Sequence, residues 1–507
     1  MANFDLKLAI RLFCMEVDSL ITLQQATINR SGTPVLTNLD WTLKAGECWA
    51  IVGDTGAGKT SFLQALAGLL PVRVGRAVYP AHQSSDLSLY QWLRQNVLFV
   101  SFKEDSRQFS YAGHFYQQRY HATMGDEAPT VRDFLQYPDT PEARPLVHRL
   151  GLEPLLELSL LKLSNGQTRK ARIGKAFLKQ PAVLLIDNPF VGLDAAFQQE
   201  LSDWLGELVN HGLSLVLAAE PNKLPSFVTH VAWLNQGQLR WAGPRREFNP
   251  IALVPAIDKL QIPSINGSHA DFTEAFRLQH VTVRYGEKYI LQNLNWVVRA
   301  GEKWALVGAN GAGKSVLLSL LYGDHPQAYA NDVRVFGHRR GSHSGGRSES
   351  VWDVKRRIGF VSPELHLYFP NHLTARQVVL TGLTDTLVVP RSVPAQAETT
   401  LDTLFAYFSI DHLQQRAFGS LSAGEQRLTL LIRAFIKHPP LLLLDEPFQA
   451  LDERSIQLAR QLLNLLPAST TLLFVTHDRR ELPDCISQVF QLDRAGAASV
   501  ESTYPAD

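Results

Sequence analysis

Gly308-Ala309-Asn310-Gly311-Ala312-Gly313-Lys314-Ser315 follows the apolar run Trp304–Val307 and precedes Val316-Leu317-Leu318. The order reads as strand, phosphate loop, helix. Glycines let this backbone turn tightly enough for its N–H groups to point at a polyphosphate. Lys314 can reach the β and γ oxygens, and the Ser315 hydroxyl can ligate Mg²⁺. The expected ligand is a nucleoside triphosphate. The same pattern stands 255 residues earlier as Gly53-Asp54-Thr55-Gly56-Ala57-Gly58-Lys59-Thr60, after Trp49-Ala-Ile-Val52. Two phosphate loops imply two nucleotide-binding units.

A chain of 507 residues can hold two to four domains, each with its own core, and the duplicated loop favours two. With 49 Lys and Arg against 48 Asp and Glu the formal charge is +1, so the balance makes no electrostatic case for a dedicated nucleic-acid or polyanion binder. Cys14, Cys48 and Cys485 are the only cysteines, and no two stand at metal-ligand spacing. That excludes a cysteine-built zinc or iron–sulfur site and suggests a reducing, cytoplasmic compartment. No apolar segment approaches the ~20 residues needed to cross a bilayer, so a membrane role would be borrowed from a separate partner chain. The short run Ala9–Cys14, flanked by Asp5, Lys7 and Glu16 and carrying Arg11, does not read as a signal peptide. Met15 is an alternative start to Met1.

In chain order, Leu20–Ile28 and Leu43–Val52 read as strands around the turn Arg30-Ser-Gly-Thr-Pro34, with Ser61–Leu69 the helix after the first phosphate loop. A polar segment runs from Pro71 to Gln95, and Asn96–Val100 is a short buried strand. Phe109, Tyr111, Phe115, Tyr116 and Tyr120 lie among Gln, Arg and His, a candidate contact surface that could stack on nucleotides or pack against a partner or its own domain. Val131–Leu163 is helical in pattern, with loops at Pro138 and Pro141. Ser164-Asn-Gly166-Gln then precedes a helix expected over Thr168–Leu178, where free N–H groups and the helix dipole would favour an anion. Val183–Asp187 is a buried strand ending in a carboxylate suited to the water shell of a metal, followed by Asn188-Pro189 and by Gly192-Leu-Asp194.

Residues 274–507 repeat this order: phosphate loop, strand Arg357–Val361, helical stretch, Leu421-Ser422-Ala-Gly424-Glu425, a helix to Lys437, strand Leu441–Asp445, then Ala450-Leu-Asp452 and Leu473–His477. Ser164 and Ser422, Asp187 and Asp445, and Asp194 and Asp452 are each 258 residues apart, so the halves are duplicates with few insertions. The expected organisation is an N-terminal extension over 1–19, a first domain over 20–245, a Pro-containing linker over 246–273 and a second domain over 274–507. The stretch from Arg339 to Ser350 is basic and glycine-rich and reads as a solvated loop, with a polyanion site as the other reading.

This set of motifs, twice in one order over almost all of residues 20–495, resembles the ATP-binding cassette (ABC) ATPases. The resemblance implies an α/β fold of two P-loop NTPase domains, each a RecA-like mixed β core with an antiparallel β subdomain and a helical signature subdomain. It implies ATP and Mg²⁺ as ligands. Gly308–Ser315 would be Walker A, Leu441–Asp445 Walker B, Glu446 the catalytic carboxylate, Leu421–Glu425 the signature motif and His477 the switch histidine. Tyr285, before Gly286, matches the aromatic that stacks on adenine. Cassettes of the family pair head to tail, which implies two composite sites within this chain. One would join Tyr285, Lys314, Ser315, Asp445, Glu446 and His477 to Ser164 and Gly166. The other would join Lys59, Thr60 and Asp187 to Ser422 and Gly424.

The two sites differ in their residues. Asn188 stands where Glu446 has its carboxylate, Ala219 where His477 has its imidazole, and Arg30 at the position of Tyr285. An amide orients water without accepting its proton, and losing a general base costs about 10²- to 10⁴-fold. The first site is therefore expected to hold ATP and barely hydrolyse it. Both halves also lack the glutamine that the family carries after the strand ending at Val100 or Val361. Lys103 and Glu104, or Ser362 and Glu364, stand there instead, and Glu364 could offer Mg²⁺ a hard oxygen.

Within the family, Arg339-Arg-Gly-Ser leading to Val351-Trp-Asp-Val-Lys355, with Ile358–Leu365, resembles the tandem ATPases called ModF, linked with molybdate transport. The resemblance favours a cytoplasmic ATPase subunit, peripheral on the inner face of the plasma membrane, that energises a separate permease. The alternative is a soluble ABC ATPase acting as a switch on a ribosomal, nucleic-acid or protein partner. The long basic linker of translation-type members and the coiled-coil or zinc insertions of repair members do not occur in the sequence. A nucleotide kinase would not need two signature motifs. The choice rests on fold analogy.

Overall fold

The computed structural model describes residues 19–30, 32–101, 129–141, 143–160, 163, 165–190, 195–249, 271–286, 288–309, 311–339, 350–493 and 498–502. The N-terminal extension, the aromatic stretch from Phe109 to Tyr120, Ser164, Asp194, most of the linker, Asn310 and residues 340–349 lie outside them. The described residues up to 249 fall in one compact unit and those from 271 in another.

The first unit opens with a hairpin, Ile21–Arg30 antiparallel to Thr33–Leu43, with Val72–Val78 on the hairpin's other side. The second strand begins ten residues before the expected Leu43, and Ala45-Gly46 turns the chain into a separate strand, Cys48–Val52. A bulge at Asn38, in the left-handed region, breaks the strand's two-residue alternation and hides it from a periodicity reading. The segment Pro71–Gln95, expected as polar connection, contains the strand Val72–Val78 and the helix Leu89–Asn96. That strand is an edge with its central residues Arg73–Arg76 exposed, held by backbone pairing, so it carries little apolar signal. The helix starts at a capping box of Ser88 and Gln91.

The second unit repeats these details. Gln25 and His280 are left-handed bulge residues 255 apart, and their N–H groups donate to Asp40 Oδ1 (3.0 Å) and Asn295 Oδ1 (2.9 Å), also 255 apart. The N–H groups of Asn38 and Asn293 donate likewise to Thr27 Oγ1 (3.4 Å) and Thr282 Oγ1 (3.0 Å). The duplication thus extends to how irregular backbone is satisfied.

Among the described residues each unit has a six-stranded sheet of one topology. The order is Val97–Ser101, Val183–Asp187, Ser214–Ala218, Cys48–Val52, His230–Asn235, Gln238–Pro244 in the first. It is Ile358–Val361, Leu441–Asp445, Thr471–Thr476, Lys303–Val307, Gln488–Leu492, Ala498–Ser502 in the second. Five strands are parallel and the last is antiparallel. Central strands are buried on both faces, which is why Val183–Asp187 and Leu441–Asp445 read as unbroken apolar runs. Leu442 and Leu444 enter the core shared with the helical segments, while Leu441 and Leu443 enter the core under the antiparallel sheet. The helical subdomain of the second unit is built from Ala375–Leu380, Ala395–Tyr407 and Ala423–Phe435. Its counterpart among the described residues of the first is Val131–Leu135, Arg144–Arg149 and Asn165–Phe177.

Parallel strands place their carboxyl ends on one edge, where ligands of such sheets bind. Lys303–Val307, Thr471–Thr476 and Leu441–Asp445 are adjacent, so the phosphate loop, His477 and Asp445-Glu446 leave neighbouring strands at that edge. Among the described residues no helix is long and apolar enough to cross a membrane.

Candidate nucleotide sites

In the second unit the loop is constrained from behind. A Cβ on Gly308 would lie 2.3 Å from the carbonyl oxygen of Leu492, and Gly313, at φ +103°, sits against Ile290 and Leu291 of the hairpin strand Lys288–Arg299. Gly313 caps the helix Lys314–Tyr322, whose free N–H groups face the loop. Lys314 Nζ donates to the carbonyls of Gly308 (2.6 Å) and Ala309 (3.2 Å), which holds the ammonium inside the loop. Burial lowers its pKa, against the carboxylates of Glu446 and Asp445.

The Ser315 hydroxyl donates to Asp445 Oδ2 at 3.1 Å. Burial first, then the neighbouring Glu446 charge, push Asp445 up to about 7, against Lys314 and the Ser315 hydrogen bond. Two hard oxygens side by side suit Mg²⁺, which keeps several waters and binds substrate phosphates. No group of three or more His, Cys, Asp or Glu among the described residues could hold a metal by itself. That donor set fits an ion completing its shell from phosphate and water.

Glu446 follows Asp445 with φ 44°, and its N–H donates to the Val475 carbonyl at 2.9 Å. The left-handed turn takes the side chain out of the strand's alternation, and Glu446 Oε1 accepts from His477 Nδ1 at 3.1 Å. Burial would raise the Glu446 pKa, but that hydrogen bond and the charges of His477, Lys314 and Arg427 hold it below the usual carboxylate range. The same hydrogen bond, foremost, raises His477. The pair places a carboxylate that can accept a proton from water beside an imidazole that can contact a phosphate oxygen.

The first unit has the same cradle without that pair. A Cβ on Gly53 would lie 2.2 Å from the Leu234 carbonyl oxygen; Gly58 has φ +103° and meets Leu36; Gly56 is also left-handed. Lys59 Nζ donates to the carbonyls of Gly53 (2.5 Å) and Asp54 (2.9 Å), and Thr60 Oγ1 to Asp187 Oδ2 (2.8 Å). Thr55 and Ala57 lie within this loop. Asn188 has φ 51°, matching Glu446, but its amide donates to Asp187 Oδ1 at 3.2 Å. Ala219 is buried at the end of its strand, its N–H bonded to the Ile51 carbonyl.

The signature segment differs from its sequence reading. Its helix begins at Ala423, so Gly424 lies in the first turn, where Ser422 accepts from the Glu425 N–H and the Glu425 carboxylate accepts from the Ser422 N–H. This Ser-x-x-Glu capping box pulls the helix start forward. The counterpart begins at Asn165 rather than Thr168, which puts Gly166 in a first turn too. Glu364 heads the short turn Leu365–Tyr368 after the strand Ile358–Val361.

Two residues outside the sequence motifs belong to this edge. Arg427 donates to the Ser362 carbonyl (2.6 Å) and to Gln449 Oε1 (2.8 Å), tying the signature helix to the loops on either side of the carboxylates. Its position two residues after Glu425 was the available signal. His325 meets the hydroxyl of Tyr285.

The family model described as ABC transporter matches residues 36–191 and 291–449, once in each unit. The chain belongs to the ABC transporter family. As an ABC-type ATPase it binds and hydrolyses ATP. It is 36% identical over 492 residues to the ABC transporter ATP-binding protein ModF of Escherichia coli strain K12, covering 92% of this chain and 96% of that protein. An uncharacterized ABC transporter ATP-binding protein of Schizosaccharomyces pombe is 30% identical over 482 residues, 91% of this chain and 95% of its own length. Among solved structures, an archaeal ribosome recycling factor in complex with the ribosomal stalk protein aP1 is similar at a TM-score of 0.54 and 17% identity, over 94% of this chain and 90% of that one. That likeness concerns the fold.

Proposed function

We propose that this ABC-type ATPase has one hydrolytic and one mainly ATP-holding site, and that it energises a separate membrane permease. The observation that carries the asymmetry is the Glu446–His477 hydrogen bond above the second phosphate loop, against Asn188 and Ala219 above the first. Pairing of the halves head to tail would add Ser164 and Gly166 to the hydrolytic site, and Ser422 and Gly424 to the holding site. Lys314 neutralises phosphate charge, Glu446 polarises the attacking water and His477 contacts the γ-phosphate. Ser315 and Asp445, with Glu364, would hold Mg²⁺ in the second site, and Thr60 and Asp187 in the first, where the ion would neutralise charge on the phosphates.

The transport role is supported by the likeness along almost the whole chain to a relative named as an ABC transporter ATP-binding protein. Molybdate is the cargo that the ModF resemblance implies. The test is to trap a Glu446→Gln variant with ATP and identify what co-purifies. A membrane permease is the expected partner; ribosomes or soluble factors in its place would overturn the transport reading.

A further inference from the structure

Tyr285 ends the strand Glu274–Tyr285, and its hydroxyl lies 2.7 Å from His325 Nε2, with the two rings tilted and 6.0 Å apart. The histidine is completely buried. The Gln327 N–H donates to His325 Nδ1 at 3.2 Å, so that nitrogen carries the lone pair. A neutral imidazole then bears its proton on Nε2, and this N–H donates to the tyrosine oxygen. Burial pushes the imidazole pKa down to about 4, which keeps it in that neutral form near pH 7.

His325 is also anchored to the phosphate loop's helix, because its own N–H donates to the Ser319 carbonyl at 3.2 Å. Beside it, Gln327 and Asn331 take over from strand pairing. The ladder from Glu274–Tyr285 to Asp332–Val335 stops at Gln279 and Asp332. Beyond it Asn331 Oδ1 accepts from the Thr282 N–H (2.9 Å), and Gln327 bonds both the N–H (3.3 Å) and the carbonyl (2.8 Å) of Arg284. In the first unit a strand occupies this side, pairing as far as Ile28 with Val72, and Arg30 stands at the tyrosine's position.

We propose that His325 is the positioning residue of the nucleobase platform in the second unit: its Nε2–H orients the Tyr285 ring, while Gln327 and Asn331 fix the strand that carries it. This rests on the reading of Tyr285 as the adenine-stacking aromatic. Base affinity is thereby set by the segment that leaves the phosphate-loop helix. His325 touches no reacting atom, so its contribution falls on KM and not on kcat.

The experiment is steady-state ATP hydrolysis by the full chain, with inorganic tripolyphosphate as a competitive inhibitor that lacks a base. Tyr285→Ala should raise KM by about 5- to 150-fold, the range for loss of one base–aromatic stack. His325→Ala should raise KM about three- to tenfold, with kcat and tripolyphosphate inhibition within twofold of the unaltered protein. Tyr285→Phe should reproduce that rise, the pair Tyr285→Phe/His325→Ala should add nothing to it, and His325→Gln, which keeps an N–H donor, should recover most of it. If Tyr285→Ala raises KM and His325→Ala does not, the role of His325 is wrong and the platform stands. If Tyr285→Ala leaves KM unchanged, both fall. A parallel loss of tripolyphosphate inhibition, or additive losses in the double variant, would make His325 a general structural support and overturn the proposal. Should His325→Ala fail to fold, an unchanged KM in Tyr285→Phe would overturn it as well.

Discussion

At the scale of single residues, the two units differ less in backbone than in what the backbone carries. Asn188 and Glu446 both sit in the left-handed region, at φ 51° and 44°, after equivalent aspartates. Asparagine adopts that conformation at lower cost than glutamate, so the strained position is occupied by the less suited residue in the unit where its carboxylate meets His477. Glu446→Gln is expected to lower steady-state ATPase activity by about 10²- to 10⁴-fold while ATP binding persists. Asn188→Glu, entering a backbone already of the right shape but lacking a histidine at Ala219, should leave turnover close to its starting value. Near-normal turnover in Glu446→Gln would end the asymmetric model. The residues of the phosphate loops and Asp445-Glu446 were legible because their chemistry is packed into short segments. The contacts of His325 and Arg427 were not, since their partners Tyr285 and Ser362 lie 40 and 65 positions away; Arg427 alone had a local signal, its place two residues after Glu425.

At the scale of elements, the second unit ties its phosphate-loop helix to its signature helix through buried charge. Asp385 accepts from Arg433 at 2.8 Å and from the hydroxyl of Tyr322, the last residue of the helix Lys314–Tyr322. Both members of the ion pair are almost fully buried. Lys437 stands 3.9 Å away, its amine pushed down to about 8 by burial. Against burial, which alone would raise it, Lys437 and Arg433 hold the Asp385 carboxyl below its ordinary value. Asp385→Ala would leave Arg433 buried without its counter-charge, a loss of about 3–5 kcal/mol that a urea unfolding curve of the full chain would register in the transition of the second unit. An unchanged midpoint would mean that Arg433 finds another partner. Elements buried on both faces were readable as apolar runs. The edge strand Val72–Val78 was not, because backbone pairing rather than side-chain burial holds it in place.

At the scale of the whole molecule, the proposed division of labour predicts unequal consequences for equivalent lysines. Lys314→Ala should abolish turnover, and Lys59→Ala should mainly weaken ATP binding; equal losses of kcat with binding intact in both would contradict the division, and a kinetic assay paired with equilibrium ATP binding distinguishes these outcomes. The sequence by itself determined that there are two phosphate-binding units, which strands end in carboxylates, and that only one unit carries the Glu and His side chains, because each of these is a matter of residue type at fixed spacing. Tertiary structure decided what those residues face. The strand order brings Gly308 to the same edge as Asp445 and His477, which lie more than a hundred residues further along the chain, and the left-handed turn at Glu446 accompanies its contact with His477. The packing behind Tyr285 was decided in the same way. Spacing along a chain specifies local conformation, whereas the partner of a buried polar group depends on which distant segment the sheet topology lays beside it.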